Sequence, residues 1–398
     1  MLNVKKIDNI LLGLFFASIP MMPIFTMYGF YTLGSIITFI YLVKLLSSRI
    51  KFRLSVFDIF YGLLIVWNIV SLKWSITGEK YVIKNMIIFY IFSISSIKLL
   101  LNNNSISDAM TIFFKFFVWG TVIITIICIA FEFKELLLGN RLGKYIFAEP
   151  YGTRMMYTYN LEISIFLILY KIIEDKKNVK SMIFPITIVS LGIILSGTRK
   201  IFIGIITFYL IYIIMKNKRK INALSRKIIL LLITSIASIF LLIKVPFLYN
   251  SFGYRIETAY NYINNSGTDS SMRDRNIMID YGLKYWKESP IIGKGSNTFH
   301  YYFNIDYQQN LYAHNTFVEL LCDLGIVGFA LYYIIYISII FSKKTSCDYN
   351  ILFKASTIAL MVLDYWTISY YRIHFMIWLE LITTVYLYSE EKKKCIRK

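Results

Sequence analysis

The chain has 398 residues, of which 57% are hydrophobic, 17% are aromatic and only 17% are charged. This composition excludes an ordinary soluble globule and is typical of a chain whose solvent is lipid. The formal net charge of +20 could indicate nucleic acid, but in so apolar a chain the cations are better explained by a cytoplasmic membrane face. We therefore expect the lipid bilayer, and no nucleic acid, as a partner.

The first apolar run follows Lys5 and Lys6 but lacks a small-residue cleavage site, so we expect a retained helix rather than a signal peptide. The four cysteines lie far apart and have no metal-type spacing. The sequence therefore predicts neither a disulfide framework nor a metal site, and we expect no cofactor.

Apolar windows long enough to cross about 30 Å of hydrocarbon recur along the chain. They predict an all-α polytopic membrane protein of about twelve transmembrane helices, with 1–398 forming a single transmembrane domain. The windows lie near 8–26, 28–46, 56–73, 81–101, 110–131, 156–173, 181–197, 200–215, 228–246, 314–341, 351–368 and 373–388.

An even number of crossings puts both termini on one side of the membrane. Basic residues favour the cytoplasmic side, and the segment KNKRKINALSRK would otherwise lie outside. We therefore expect a multi-pass protein of the cytoplasmic membrane with both termini inside. Residues 132–155 and 247–313 then face outward, and the second segment, between helices 9 and 10, is too long to be a simple connection.

Within this long external loop, residues of about 271–288 have the amphipathic pattern of a helix at the membrane interface. Its first turn carries Arg273 and Arg275, although a helix N-terminus favours negative charge. Either the two guanidiniums share an anion such as a phosphate, or they are simply solvated. The following glycines, Gly293 and Gly295, permit a tight turn or close approach to a ligand.

His314 and Asn315 begin the next predicted helix, where Asn315 or Thr316 can act as the cap. An imidazole at this outer face can take a proton from a hydroxyl nucleophile. A hydrogen-bonded structural role for His314 is the alternative.

Two more outer-face arginines lie elsewhere in the chain. Arg199 stands in the short turn SGTRKIF between two predicted helices, and Arg154 lies just before another. A cation at this depth must snorkel or find an anionic partner. A set of cations with one base suggests transfer from a phosphorylated lipid donor to a hydroxyl acceptor, with arginines stabilising the leaving group.

The stretches SGTRKIF, SSMRDRNIMIDYGLKYWKESPIIGKGSNTF and YAHNTFVELLCDLGIVGFALYY resemble the O-antigen ligase and polymerase superfamily of bacterial envelope polysaccharide synthesis. The resemblance covers roughly residues 150–345. It implies an inverting, metal-independent glycosyltransferase that uses undecaprenyl-diphosphate-linked glycan at the outer face of the cytoplasmic membrane. It also implies that Arg199 and Arg273 bind the diphosphate and that His314 activates the acceptor hydroxyl, whereas Arg275 and Arg154 match less clearly.

We expect a polysaccharide polymerase of the O-antigen or capsule type, which transfers glycan to a lipid-linked repeat unit and works with a chain-length regulator protein. Catalytic residues would be His314, Arg199 and Arg273, and substrate-binding residues Arg275, Arg154, Asn315, Gly293 and Gly295. A ligase that transfers the same glycan to lipid A core or to protein is the nearest alternative. A lipid-linked oligosaccharide flippase or ion-coupled transporter is the alternative from another class, and it would use the intramembrane carboxylates Glu162, Asp323, Asp364 and Glu380.

Overall fold

The computed structural model describes residues 2–22, 27–47, 49–50, 53–143, 153–175, 179–217, 244, 249, 253–264, 267, 269–343 and 348–396. Within these ranges the regular structure is entirely helical. The first nine helices are α1 (Leu2–Met21), α2 (Met27–Leu46), α3 (Val56–Ser71), α4 (Tyr81–Asn103), α5 (Ile106–Phe131), α6 (Phe133–Leu137), α7 (Thr153–Glu174), α8 (Val179–Ser196) and α9 (Arg199–Lys216). They are followed by α10 (Tyr254–Ile263), α11 (Ser270–Glu288), α12 (Phe299–Tyr307), α13 (Thr316–Ile340), α14 (Asn350–Leu363) and α15 (Ile373–Ile396).

Among the described residues, six helices are long and apolar enough to cross a membrane, and two shorter apolar helices span Val56–Ser71 and Ile373–Ser389. The six candidate spans are Gly29–Leu46, Tyr81–Asn103, Ile106–Phe131, Met156–Glu174, Val179–Ser196 and Thr316–Ile340. The chain is thus a helical polytopic membrane protein, and the number twelve stays a prediction. The window predicted near 228–246 lies outside the described residues.

The helices pack into two compact units. The first contains residues 1–34, 104–269 and 351–359, and the second contains residues 35–103, 270–350 and 360–398. In the first unit α1 packs closely on α5, because Gly120 lies directly against the backbone of Ala17, where a side chain would collide. Small residues permit such close approach of helices in a membrane protein.

The second unit contains a fully buried ion triad. The Lys98 ammonium on α4 lies 2.6 Å from the Asp58 carboxylate on α3 and 3.3 Å from the Glu380 carboxylate on α15. Asp58 also completes a capping box with Ser55 at the start of α3. One cation therefore links three helices, which is the pairing that makes a buried charge tolerable.

In its described residues, the segment predicted as a long external loop contains three helices, α10, α11 and α12. In the second unit, α11 and α12 pack on α13 through an apolar cluster of Met278, Tyr285, Phe299, Phe303, Ala313, Val318 and Cys322. Lys284 and Tyr285 of α11 also bond to Asp306 of α12, at 2.8 and 3.1 Å. Residues 270–313 are thus a folded part of the second unit, whereas α10 belongs to the first. The position of the segment at a membrane interface stays a prediction.

Candidate functional site

Residues 290–295, which follow α11 and include Gly293 and Gly295, form backbone hydrogen bonds with a break in α13. Gly325 has φ 66° and ψ −169° and interrupts the helix, which frees backbone groups that must be satisfied elsewhere. Residues 290–295 supply the partners, because Lys294 and Gly295 donate to the carbonyls of Cys322 and Asp323, both at 2.8 Å. Beyond the break, the amides of Ile326 and Val327 donate to the carbonyls of Pro290 and Ile291 at 2.9 and 3.3 Å.

The glycines singled out in the sequence make this pairing possible. Gly293 and Gly295 have φ values of 72° and 105°, a region that side chains disfavour. Their α-carbons also lie against backbone, Gly293 against Asp323 and Gly295 against Ser75. The close approach seen in the structure is therefore to the chain itself, and the binding of substrate by these glycines stays a prediction.

In the first unit, Arg199 is the first residue of α9 and is held by two partners. Its Nη1 donates to the Asp269 carboxylate at 2.6 Å and to the Arg255 carbonyl at 2.9 Å. Arg255 in turn donates to the carbonyl of Gly197 at 2.8 Å. The two arginines thus fasten the SGTR turn to the α10 region, and Asp269, 70 residues along the chain, is the anionic partner that the local sequence did not reveal.

A second cation follows directly. The Lys200 ammonium lies 4.6 Å from the centre of the Tyr159 ring, a distance suited to a cation–π contact. It also interacts electrostatically with the buried carboxylate of Glu162 on α7. Arg199 and Lys200 therefore place two positive charges at the N-terminus of α9, where the helix dipole adds to the attraction for an anion.

The remaining predicted cations lie on α11 and α7. Arg273 in the second unit is 63% exposed, with Asp274 at 3.8 Å, so its guanidinium is accessible to a ligand. Arg275 is half-buried and lies two residues further along the same helix. Arg154 belongs to α7, but its side chain lies outside the described part of the chain.

His314 lies in the second unit immediately before α13 and has φ 49°. This left-handed conformation is uncommon for a residue with a side chain, and such strain persists only where neighbours impose it. Asn315 is the N-cap and accepts from the Val318 amide at 3.1 Å. The buried Glu319 carboxylate accepts from the Ala313 amide at 3.3 Å and from the Tyr370 hydroxyl at 3.4 Å. The chain on both sides of His314 is therefore held by hydrogen bonds, and its imidazole is half-buried.

The second unit contains another histidine site that the sequence reading missed. The His300 Nε2 atom on α12 lies 3.7 Å from the Glu79 carboxylate in the loop between α3 and α4. Glu79 also accepts from the Asn297 side chain, and the Tyr312 ring lies 5.5 Å from the imidazole. Burial lowers the pKa of His300, although Glu79 opposes this effect. Burial also raises the pKa of Tyr312.

Three of the four carboxylates that a transporter would use lie in the second unit and have structural partners there. Asp323 accepts from the amides of Thr298 and Phe299, at 3.2 and 2.9 Å, and so caps α12. Asp364 accepts from the hydroxyls of Tyr333 and Thr316 at 3.0 and 3.3 Å. Glu380 belongs to the Lys98 ion triad. These contacts explain why the three carboxylates are buried without invoking an ion path.

The helices, the basic turn at Arg199 and the histidine before α13 define a polytopic membrane protein with cations and an imidazole at helix starts. Residues 184–333 match the family model Wzy_C, described as O-antigen ligase. The match covers less than half of the chain and supports the resemblance of the sequence to the O-antigen ligase and polymerase superfamily. Its members are glycosyltransferase-like membrane enzymes. No curated protein matches the chain.

Proposed function

We propose that this chain is a membrane glycosyltransferase that polymerises an envelope polysaccharide. The observation that carries the proposal is that the family match at 184–333 contains Arg199, Arg273 and His314, the three residues predicted to be catalytic. The accessible guanidinium of Arg273 and the constrained backbone of His314 support it. The donor is glycan on undecaprenyl diphosphate, and the acceptor is a hydroxyl of a lipid-linked repeat unit at the outer face of the cytoplasmic membrane.

In the proposed reaction, His314 takes the proton of the acceptor hydroxyl. The acceptor oxygen then forms a bond to the anomeric carbon, and the bond between that carbon and the diphosphate oxygen breaks with inversion. Its electron pair leaves with undecaprenyl diphosphate. General-base assistance of this kind contributes about 10² to 10⁴ in rate, and cations preorganised at the leaving group stabilise the charge that develops there.

The arginines have different parts in this proposal. A guanidinium has five N–H donors, and the contacts described for Arg199 involve Nη1. In this proposal the other guanidinium nitrogens of Arg199 bind a phosphate oxygen, and Asp269 fixes the orientation of the guanidinium. Arg273 is exposed and supplies a second, adjustable contact, to which Arg275 and Arg154 add positive charge.

A ligase is the second candidate, favoured by the description of the matching family as O-antigen ligase. The donor half of the reaction would be the same, and only the acceptor would differ. Purified protein supplied with lipid-linked repeats alone separates the two functions, because a polymerase lengthens the chains and a ligase forms product only when lipid A core or an acceptor protein is added. Translocation of the lipid in proteoliposomes without any new glycosidic bond would overturn both.

Variants of α11 test the diphosphate contact. We expect Arg273→Ala to reduce chain growth strongly. Lys287→Ala, which removes another exposed cation from the same helix, should leave chain growth near the wild-type rate. Equal rates for Arg273→Ala and the wild type, in protein shown to be folded and membrane-inserted, would remove Arg273 from the mechanism.

A further inference from the structure

The first unit contains a cavity of about 330 Å³ between α5, α7 and α8, and its lining includes none of the residues assigned to glycan transfer. The start of α5, the end of α7 and the start of α8 border it, so one end of all three helices lies at the cavity. The lining residues that carry charge or hydroxyl groups are Thr111, Lys115, Lys171, Asp175 and Ser181.

The polarity of the lining changes along the helices. On α5, Thr111 and Lys115 precede Val118 and Trp119, and at 1.5 Å per residue the rise from Thr111 to Trp119 is about 12 Å. On α7 the order is reversed, because Leu167 and Ile168 precede Lys171 and Asp175. The cavity therefore has a charged rim at one membrane face and an apolar interior.

The apolar part of this cavity has a defined wall. Trp119 stacks on Phe184 of α8 with ring centres 6.0 Å apart. Pro185 lies inside α8 and has no N–H, so the helix lacks the hydrogen bond to the carbonyl of Ser181 at the rim. A rim of this kind combines two cations with hydroxyl groups, which is the chemistry that binds a phosphate.

We propose that this cavity is a binding site for an anionic phospholipid. The headgroup phosphate lies between Lys115 and Lys171, and part of one acyl chain fills the apolar interior beside Trp119. The two lysines and Asp175 give the rim one net positive charge, which complements one phosphodiester. Basic pockets between transmembrane helices bind anionic headgroups in this way.

The volume agrees with this occupant. A cavity of about 330 Å³ equals the volume of about eleven water molecules at roughly 30 Å³ each, and a methylene group is similar in size. The whole cavity, rim included, therefore has room for a headgroup phosphate and a segment of one acyl chain. The sequence-based orientation predicts that this site faces the cytoplasmic leaflet, opposite to the proposed glycan chemistry.

Quenching of Trp119 by brominated lipids tests the proposal. The full chain is placed in nanodiscs of phosphatidylcholine containing increasing amounts of brominated phosphatidylglycerol or brominated phosphatidylcholine. Subtraction of the emission of a Trp119→Phe variant isolates the signal of this residue. One cation near the surface contributes about 1 kcal/mol to anionic lipid binding, so we expect half-quenching at about fivefold less phosphatidylglycerol than phosphatidylcholine.

Charge variants decide whether the cavity causes the preference. We compare the amounts of phosphatidylcholine and phosphatidylglycerol needed for half-quenching. Lys115→Gln combined with Lys171→Gln leaves Asp175 as the charged group of the rim and should bring this ratio to one or below, and Asp175→Asn should raise it above that of the wild type. Lys84→Gln, which removes an exposed cation from α4, should leave the ratio unchanged. Equal quenching by both lipids would show annular lipid only and overturn the proposal, as would a preference that survives the double lysine substitution. Neither result depends on glycan transfer.

Discussion

Replacement of Gly325 by alanine is the sharpest structural perturbation of the loop and helix pairing. The residue has φ 66° and ψ −169°, a region occupied almost only by glycine, and strain there costs about 1–3 kcal/mol. An added Cβ would also overlap the carbonyl oxygen of Ile291 and lie 2.6 Å from the amide nitrogen of Gly293. Residues 290–293 would therefore have to move.

The movement would break the two hydrogen bonds that Ile326 and Val327 donate to residues 290 and 291. At about 1 kcal/mol for each, their loss adds about 2 kcal/mol to the strain. We expect Gly325→Ala to lower the free energy of unfolding by about 3–5 kcal/mol. Glycan transfer should fall too, because the segment between α11 and α12 is displaced.

Gly78→Ala is the matched control. Gly78 also has a positive φ, 58°, but no heavy atom lies within 4 Å of an added Cβ. Only the conformational cost of about 1–2 kcal/mol remains. Unfolding in detergent, followed by tryptophan fluorescence, measures both variants, and Trp67 is a local reporter because its indole donates to the Leu324 carbonyl at 3.0 Å. Equal destabilisation by the two substitutions, with unchanged Trp67 emission, would refute the proposed pairing.

Three further substitutions test individual contacts. Lys98→Met should destabilise the protein by about 3–5 kcal/mol, because it leaves two buried carboxylates without their cation; adding Asp58→Asn and Glu380→Gln should recover most of the loss in the same unfolding assay. Because burial lowers the pKa of His300 below its ordinary value of about 6.5, the unfolded state takes up the proton first, and stability should fall as the pH drops below about 6.5. His300→Asn should reduce the dependence of the unfolding midpoint on pH below about 6.5. An unchanged dependence would contradict the role of His300 in this loss of stability. Asp269→Asn should cost about 1–2 kcal/mol by removing a partly exposed ion pair with Arg199, and a double-mutant cycle with Arg199→Ala should show coupling between the two.

The sequence predicted the helices well where a local pattern determined them. The amphipathic repeat and Pro290 indicate a helix over about 271–288, and α11 spans Ser270–Glu288. Asn315 was one of two candidate caps for α13, and the structure selects it because Thr316 instead donates to the carbonyl of Thr367 at 2.7 Å. Local propensity identifies candidate caps, but tertiary contacts decide between them.

Contacts between distant segments could not be predicted from one sequence. Glu79 and His300 are 221 residues apart, and neither lies in a motif that indicates the other. The anionic partner of Arg199 likewise comes from Asp269 rather than from its own turn. The glycines at 293 and 295 were recognised as permissive turn residues, but only the fold shows that they accommodate the break at Gly325.

The rate of undecaprenyl diphosphate release tests the central claim most directly. Purified wild-type protein, His314→Ala and Arg199→Ala would each be reconstituted with glycan linked to undecaprenyl diphosphate and with its hydroxyl acceptor, and release of the lipid diphosphate followed with time. The proposed mechanism predicts release coupled to glycan transfer in the wild type, and a loss of about 10² or more in His314→Ala, with a strong reduction in Arg199→Ala. Release at the wild-type rate from both variants, in folded and membrane-inserted protein, would contradict it.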